Sequence, residues 1–361
     1  MPLRGGSGDV TRRLLQGSER VNPYKPYEAD AVVKLDANEN LFLPKEFIQN
    51  MIVEAARSCD PRLYPQDETS FLKMALAEVL AVQPGQLVVA SGGDQVIELL
   101  VSSMLREGDE VVAVSPTFSM YPRFAAIRRL RYRPVELDPG FALDPAKVLD
   151  AVSPETGMIV LCNPNNPTGN QFKVEAVLEI VEGFSGLVLI DEAYAEYGEH
   201  SLAGEAAERE NLVVLRTFSK AYGLAGMRLG YAVTNTRLAQ ALNERYLPPF
   251  PVSSLTLWAG INVLRNRDKV EAAVRETKEE RKRLIEALNG LPGVQAFPSA
   301  TNFVLFNTEK PYTEVYDGLS RRGVHVRRIG KIPGYDDCLR VTVAPREEAT
   351  EFLCALEEAT T

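Results

Sequence analysis

The stretch "NLVVLRTFSKAYGLAGMRLGY", residues 211–231, decides how the fold is read. Leu212 to Leu215 form a bare apolar run, which suits a strand buried on both faces rather than one with a wet side. The run opens at once into polar residues. Thr217, Ser219 and Lys220 follow, then a glycine-rich turn, then Arg228. A lysine at the mouth of a buried strand must face something, and the rest of the chain says what.

Working outward, the same kind of run recurs as "LVVA" (87–90), "VVAV" (111–114), "MIVLC" (158–162), "LVLI" (187–190) and "GYAV" (230–233). Between the first two lies "GGDQVIELLVSSMLREGDE", in which Ile97, Leu100, Val101, Met104 and Leu105 recur at helical spacing and Gly108 follows the end. This rhythm predicts an α/β fold, a mostly parallel sheet covered by helices in a large domain. Past Pro248, Pro249 and Pro251 the texture changes. A long charged helix, "NRDKVEAAVRETKEERKRLIEALNG", is expected to be solvated on one face, so its "KEERKR" run reads as helix surface rather than a binding patch. Then "ATNFVLF" (300–306), "GVHVRRIG" (323–330) and "CLRVTVAP" (338–345) predict a smaller α+β domain, with helices after the first two runs.

With 361 residues the chain suits two domains, and 45% apolar with 25% charged residues is the globular norm. A net charge of −9 argues against nucleic acid as the main partner, but leaves room for a local basic pocket that holds a small anion. Cys59, Cys162, Cys338 and Cys354 form no CxxC, and there are two histidines, His200 and His325, so no metal site is expected. The first twenty residues lack an apolar core, so no signal peptide is expected. The uncharged stretch Leu247 to Leu264 approaches membrane-spanning length, but its prolines make it a turn followed by a buried helix. A cytoplasmic location is the expectation.

Ligands in open parallel sheets bind beyond the carboxyl ends of the strands. After "LVVA" come Ser91, Gly92, Gly93 and Asp94, opening a helix whose first N–H groups suit a phosphate. Such a turn alone is common, and the GK[ST] ending of a P-loop is missing. After "VVAV" comes Phe118, after "MIVLC" comes "NPNNPTG", and after "LVLI" comes Asp191, a carboxylate that needs a cation if it is buried. Five strand ends together supply a phosphate cradle, an aromatic plate, an amide, a carboxylate and a lysine. That set meets the demands of pyridoxal phosphate: a Schiff-base lysine for the aldehyde, a carboxylate for the pyridinium nitrogen, and a helix N-terminus with an arginine for the phosphate.

The motifs "CNPNNPTG", "DEAY" and "RTFSKAYGLAGMRLGY" resemble those of the fold-type I pyridoxal-phosphate aminotransferases. "LDANEN", "RLYPQ" and "GVHVRR…CLRVTV" resemble the histidinol-phosphate aminotransferase branch, and the likeness runs from residue 34 to residue 348. The resemblance implies that Lys220 carries the Schiff base, Asp191 pairs with the pyridine nitrogen, Tyr194 and Asn166 hydrogen-bond the ring O3′, and Phe118 stacks on the ring. It implies that Gly93 and Asp94 give backbone N–H groups to the phosphate, with Thr217, Ser219 and Arg228 around it. Tyr64 would reach the neighbouring subunit's cofactor, which requires a homodimer. Arg340 and Arg327 would hold the substrate anion, with Asn38 and Glu39 over the pocket. Leu41 stands where the branch usually has proline, and Phe118 where tyrosine is frequent. The implied domains are an N-terminal arm (1–30), a segment of the small domain covering the substrate (31–60), the large cofactor domain (61–250) and the C-terminal small domain (251–361).

The function so implied is transamination of L-histidinol phosphate with 2-oxoglutarate, giving imidazole acetol phosphate and L-glutamate, a step of histidine biosynthesis. Freed Lys220 would act as the general base, and the kinetics would be ping-pong. The rivals are an aromatic amino-acid aminotransferase and a threonine-phosphate decarboxylase of the same fold. A ligand-sensing regulator with an added DNA-binding domain is disfavoured, because the first family motif begins within about 30 residues of the start.

Overall fold

The computed structural model describes Val21 and residues 32–361; the arm expected over 1–30 lies outside the described residues except for Val21. In chain order the strands are β1 (Val33–Lys34), β2 (Leu87–Ala90), β3 (Glu110–Ser115), β4 (Arg131–Glu136), β5 (Thr156–Cys162), β6 (Leu187–Asp191), β7 (Leu212–Thr217), β8 (Gly230–Val233), β9 (Val294–Ala296), β10 (Phe303–Thr308), β11 (Val324–His325), β12 (Arg327–Ile332) and β13 (Tyr335–Thr342).

Seven of them build one sheet in the order β2-β8-β7-β6-β5-β3-β4. The apolar runs form its buried interior, and helices such as Gly92–Ser103 and Val174–Gly183 supply the apolar faces that pack on it. β3, β4, β5, β6 and β7 run parallel. β8 runs against both β7 and β2, so β2 points the same way as β7. The carboxyl ends of β2, β3, β5, β6 and β7 therefore meet at one edge.

One strand of this sheet was not expected. β4, "RYRPVE", is mostly exposed at the sheet margin, where its charges stay in water and Pro134 costs no ladder bond to a further strand. Arg133 also reaches the buried Glu110 at 3.0 Å. The alternation that would mark a strand is hidden by these charges.

The second sheet is antiparallel, in the order β12-β13-β10-β9. Helices Tyr312–Arg321 and Arg346–Thr360 follow β10 and β13. The helix expected after "GVHVRRIG" is absent: β12 turns directly into β13 through Pro333 and Gly334, the glycine at φ +82°. The Pro-Gly pair carried that signal.

The described part of the 31–60 segment, residues 32–60, divides between two bodies. β1 pairs with β11 beside the second sheet, whereas helix Lys45–Ser58 packs on helix Ser254–Arg265. The latter is the buried helix expected after the prolines, capped by Ser253, whose Oγ accepts from the Thr256 N–H at 3.2 Å. No helix among the described residues is long and apolar enough to cross a membrane. Helix Arg267–Asn289 buries Val270, Ala273, Val274, Thr277, Leu284 and Leu288; of its charges, Glu279 and Lys282 are exposed, whereas Lys278 donates to the Gly198 carbonyl at 3.1 Å and Arg281 to the Thr301 carbonyl at 2.7 Å.

Candidate active site

The site begins with a close approach of backbones. Gly230 opens β8 between the ends of β2 and β7, and a Cβ there would stand 2.6 Å from the carbonyl carbon of Gly92. Only glycine lets the strand lie so near the start of helix Gly92–Ser103. Gly92 itself has φ +83°, and a Cβ on it would meet the Arg228 guanidinium at 2.8 Å. Arg228 thus lies across the helix N-terminus, whose first N–H groups have no partner within the helix. Its Nη1 donates to Ser219 Oγ at 3.3 Å, and its Nη2 approaches Asp94 at 3.4 Å. Thr217 Oγ1 accepts from the Ser219 N–H at 3.1 Å.

These groups line a cavity together with Gly93, Phe118, Asn166, Asp191, Tyr194 and Lys220. The sheet edge explains the convergence, since each residue stands at or just past a strand end. Asp191 ends β6 and is only 4% exposed. Its Oδ1 accepts from the Ala193 N–H at 3.0 Å, and its Oδ2 accepts from the Tyr121 hydroxyl at 2.7 Å. No cation pairs with it among the described residues, and burial pushes its carboxyl up to about 6. Lys220 Nζ donates to the Ala37 carbonyl at 2.9 Å and has no carboxylate partner among the described residues. Burial, reinforced by Arg340, brings its ammonium down to about 8. Tyr194 accepts from Asn38 Nδ2 at 2.9 Å, and burial raises its phenol.

A second cavity shares Asp94, Phe118, Asn166, Tyr194, Lys220 and Arg228 with the first, and adds Asn38, Arg327 and Arg340. Arg327 and Arg340 are direct cross-strand partners on β12 and β13, so both project to one face. Arg340 Nη1 donates to Asn166 Oδ1 at 2.6 Å, and Nη2 donates to the Asp36 carbonyl at 2.7 Å.

Two expected residues lie outside these cavities. Glu39 does not line them; its carboxylate pairs with Lys34 at 2.6 Å. Tyr64 is 72% exposed and stacks on Phe250 at 4.9 Å, away from the cavity of its own chain. Arg328, expected at the surface, is exposed, with its guanidinium 4.6 Å from the Tyr316 ring centre, although part of the residue borders the second cavity. Sequence reasoning missed Tyr121 and the Asp36 and Ala37 carbonyls. A tyrosine inside an apolar helix reads as core, and a backbone acceptor leaves no mark in a sequence.

The residues fit pyridoxal phosphate on these observations. A buried carboxylate and a partly buried amine, neither in a salt bridge among the described residues, line one cavity, an aromatic ring flanks it, and an arginine lies across the helix N-terminus that closes it.

Comparison with known proteins agrees. A family model described as "Aminotransferase class I and II" matches residues 30–356. Histidinol-phosphate aminotransferase of Thermoanaerobacter sp. (strain X514) is 37% identical over 94% of this chain and 97% of its own. A crystal structure of histidinol-phosphate aminotransferase from Sinorhizobium meliloti in complex with pyridoxal-5'-phosphate superposes with a TM-score of 0.85 at 26% identity, covering 93% of this chain and 95% of that one. L-threonine-O-3-phosphate decarboxylase from Porphyromonas gingivalis shares the fold, with a TM-score of 0.76 at 23% identity over 91% of this chain and 99% of that one. The chain therefore belongs to the class I and II aminotransferases, among the relatives of histidinol-phosphate aminotransferase.

Proposed function

We propose that this aminotransferase uses pyridoxal phosphate to move the amino group of L-histidinol phosphate to 2-oxoglutarate, in histidine biosynthesis. The observation that carries the substrate is the Arg327–Arg340 cross-strand pair at the cavity that also contains Lys220. Like charges directly opposite on two strands repel. A phosphate dianion between them removes that repulsion and gains paired, oriented hydrogen bonds. A carboxylate of 2-oxoglutarate takes the same place in the second half of a ping-pong cycle.

The bound cofactor supplies an electron sink for the bond broken at the substrate's Cα. Lys220 Nζ is the base that takes the Cα proton and returns it, and an amine near 8 is available for that task at neutral pH. Asp191 holds a proton on the pyridine nitrogen. Tyr194 and Asn166 bind the ring hydroxyl, and Phe118 orients the ring. Gly93, Asp94, Thr217, Ser219 and Arg228 bind the phosphate, and Asn38 covers the substrate side.

The same reading makes the protein a cytoplasmic homodimer. Tyr64, Phe250, Leu63, Phe71, Met74 and Tyr246 are large apolar side chains left exposed, which supports a face for a second copy. Tyr64 then reaches the partner's phosphate. Residues 61–250 act as the cofactor domain and 251–361 as the small domain, with 31–60 over the substrate.

A substrate panel tests the proposal. Loaded protein is expected to turn over histidinol phosphate with 2-oxoglutarate faster than phenylalanine, tyrosine or aspartate. Turnover of phenylalanine or tyrosine with none of histidinol phosphate overturns it. So does release of carbon dioxide from threonine phosphate without an oxo-acid acceptor.

A further inference from the structure

Tyr121 has no place in the scheme above, although its geometry ties it to two parts of the site. It lies in the first turn of helix Met120–Ile127 and is 2% exposed. Its backbone N–H donates to the Phe118 carbonyl at 3.3 Å, which fixes the two rings on one turn. Its ring meets Phe118 edge to face, with centres 5.6 Å apart and planes at 84°. Its hydroxyl donates to Asp191 Oδ2 at 2.7 Å, a short bond of the kind made to a charged acceptor.

We propose that Tyr121 is a positioning residue that fixes the carboxylate at the ring nitrogen and the aromatic plate on the ring face as one unit. The proposal rests on the cofactor reading above. Asp191 has two oxygens, each able to accept twice. The Tyr121 hydroxyl and the Ala193 N–H each occupy one position, so the carboxylate is held in one orientation with acceptor capacity left for a ring N–H.

The hydroxyl also sets the charge state. A donor to the ionised form makes the carboxylate less basic, so a shared proton stays on the ring nitrogen. The other groups facing Asp191 do not replace this. Cys162 on β5 is a thiol that burial keeps protonated. Tyr194 is likewise kept neutral. Asp94 and Glu192 are anions that push the carboxyl upward. Tyr121 and the Ala193 N–H are the two donors opposing burial.

Tyr121→Phe removes the hydroxyl and keeps the ring that packs on Phe118. The measurement is the resonance of the pyridine nitrogen in holoenzyme loaded with ¹⁵N-labelled pyridoxal phosphate, followed across pH beside the kcat/KM profile. In the variant the resonance is expected to move toward the unprotonated ring value, and the acid limb of the profile to higher pH by about one unit. Phe118→Leu serves as the second variant, expected to weaken cofactor binding while leaving the nitrogen resonance in place. If Tyr121→Phe leaves both the resonance and the acid limb unmoved, Tyr121 is core packing and the proposal is wrong, whatever happens to affinity. Failure of the wild type to bind the cofactor at all overturns the underlying reading as well, and is told apart by the missing label.

Discussion

Two buried charge clusters sit back to back at the ends of β6 and β7. Asp191 and Glu192 are consecutive, so their side chains leave the sheet on opposite faces. Glu192 accepts from Arg216 at 2.9 Å, from the Ser201 hydroxyl at 2.6 Å and from the Leu202 N–H at 2.6 Å. Arg216 also donates to Glu196 at 2.8 Å. Burial alone would weaken the Arg216 guanidinium, but Glu196 and the other facing anions outweigh it and hold it above its ordinary range. On the other face Asp191 and Lys220 have neutral donors and a carbonyl, and burial moves each toward its uncharged form. The difference separates two uses of one strand pair. Charges that serve the fold are paired with one another. Charges that serve the site stand uncompensated until a ligand of matching chemistry arrives.

The largest effect that could break this comparison is on activity. Lys220→Ala should lower turnover by about 10⁴-fold or more, because proton transfer and the covalent hold on the cofactor are lost together. Its folding stability should not fall, since the lysine has no anionic partner among the described residues to leave behind. A large loss of stability with activity partly kept would mean that Lys220 belongs to the structural class. The opposite behaviour is expected across the sheet. Arg216→Met leaves Glu192 and Glu196 facing each other without their cation, and should cost about 3–5 kcal/mol in denaturant unfolding. A cost below about 1 kcal/mol, the range of surface pairs, would erase the distinction.

Much of this was legible beforehand. The apolar runs named the interior strands, and the polar residue after each run named most of the cavity. What sequence could not give is register and reach. That Arg327 stands opposite Arg340 follows from hairpin pairing, and a single-residue slip would send one of them to the other face. Arg328, one residue on from Arg327, alternates to the exposed side as expected. Glu39 sits in a motif that implies substrate contact, yet Lys34 is near enough to hold it. Tyr121 carried no signal beyond a hydroxyl on an apolar helix, and its meaning appears only with Asp191 beside it.

The most direct test of the central claim is the pH dependence of stability in cofactor-free protein, compared with Asp191→Asn. Burial raises the Asp191 carboxyl from 3.8 to about 6, so the folded chain binds its proton more tightly than the unfolded chain. Between those values stability contributed by this group falls as pH rises, and above about 6 the loss is complete. Asparagine carries no such charge. The variant should therefore match the parent near pH 4 and exceed it by about 2–3 kcal/mol at pH 8, while losing activity. A variant that is no more stable than the parent at pH 8, or whose difference does not change with pH, would show that the carboxylate is already compensated and would contradict the account.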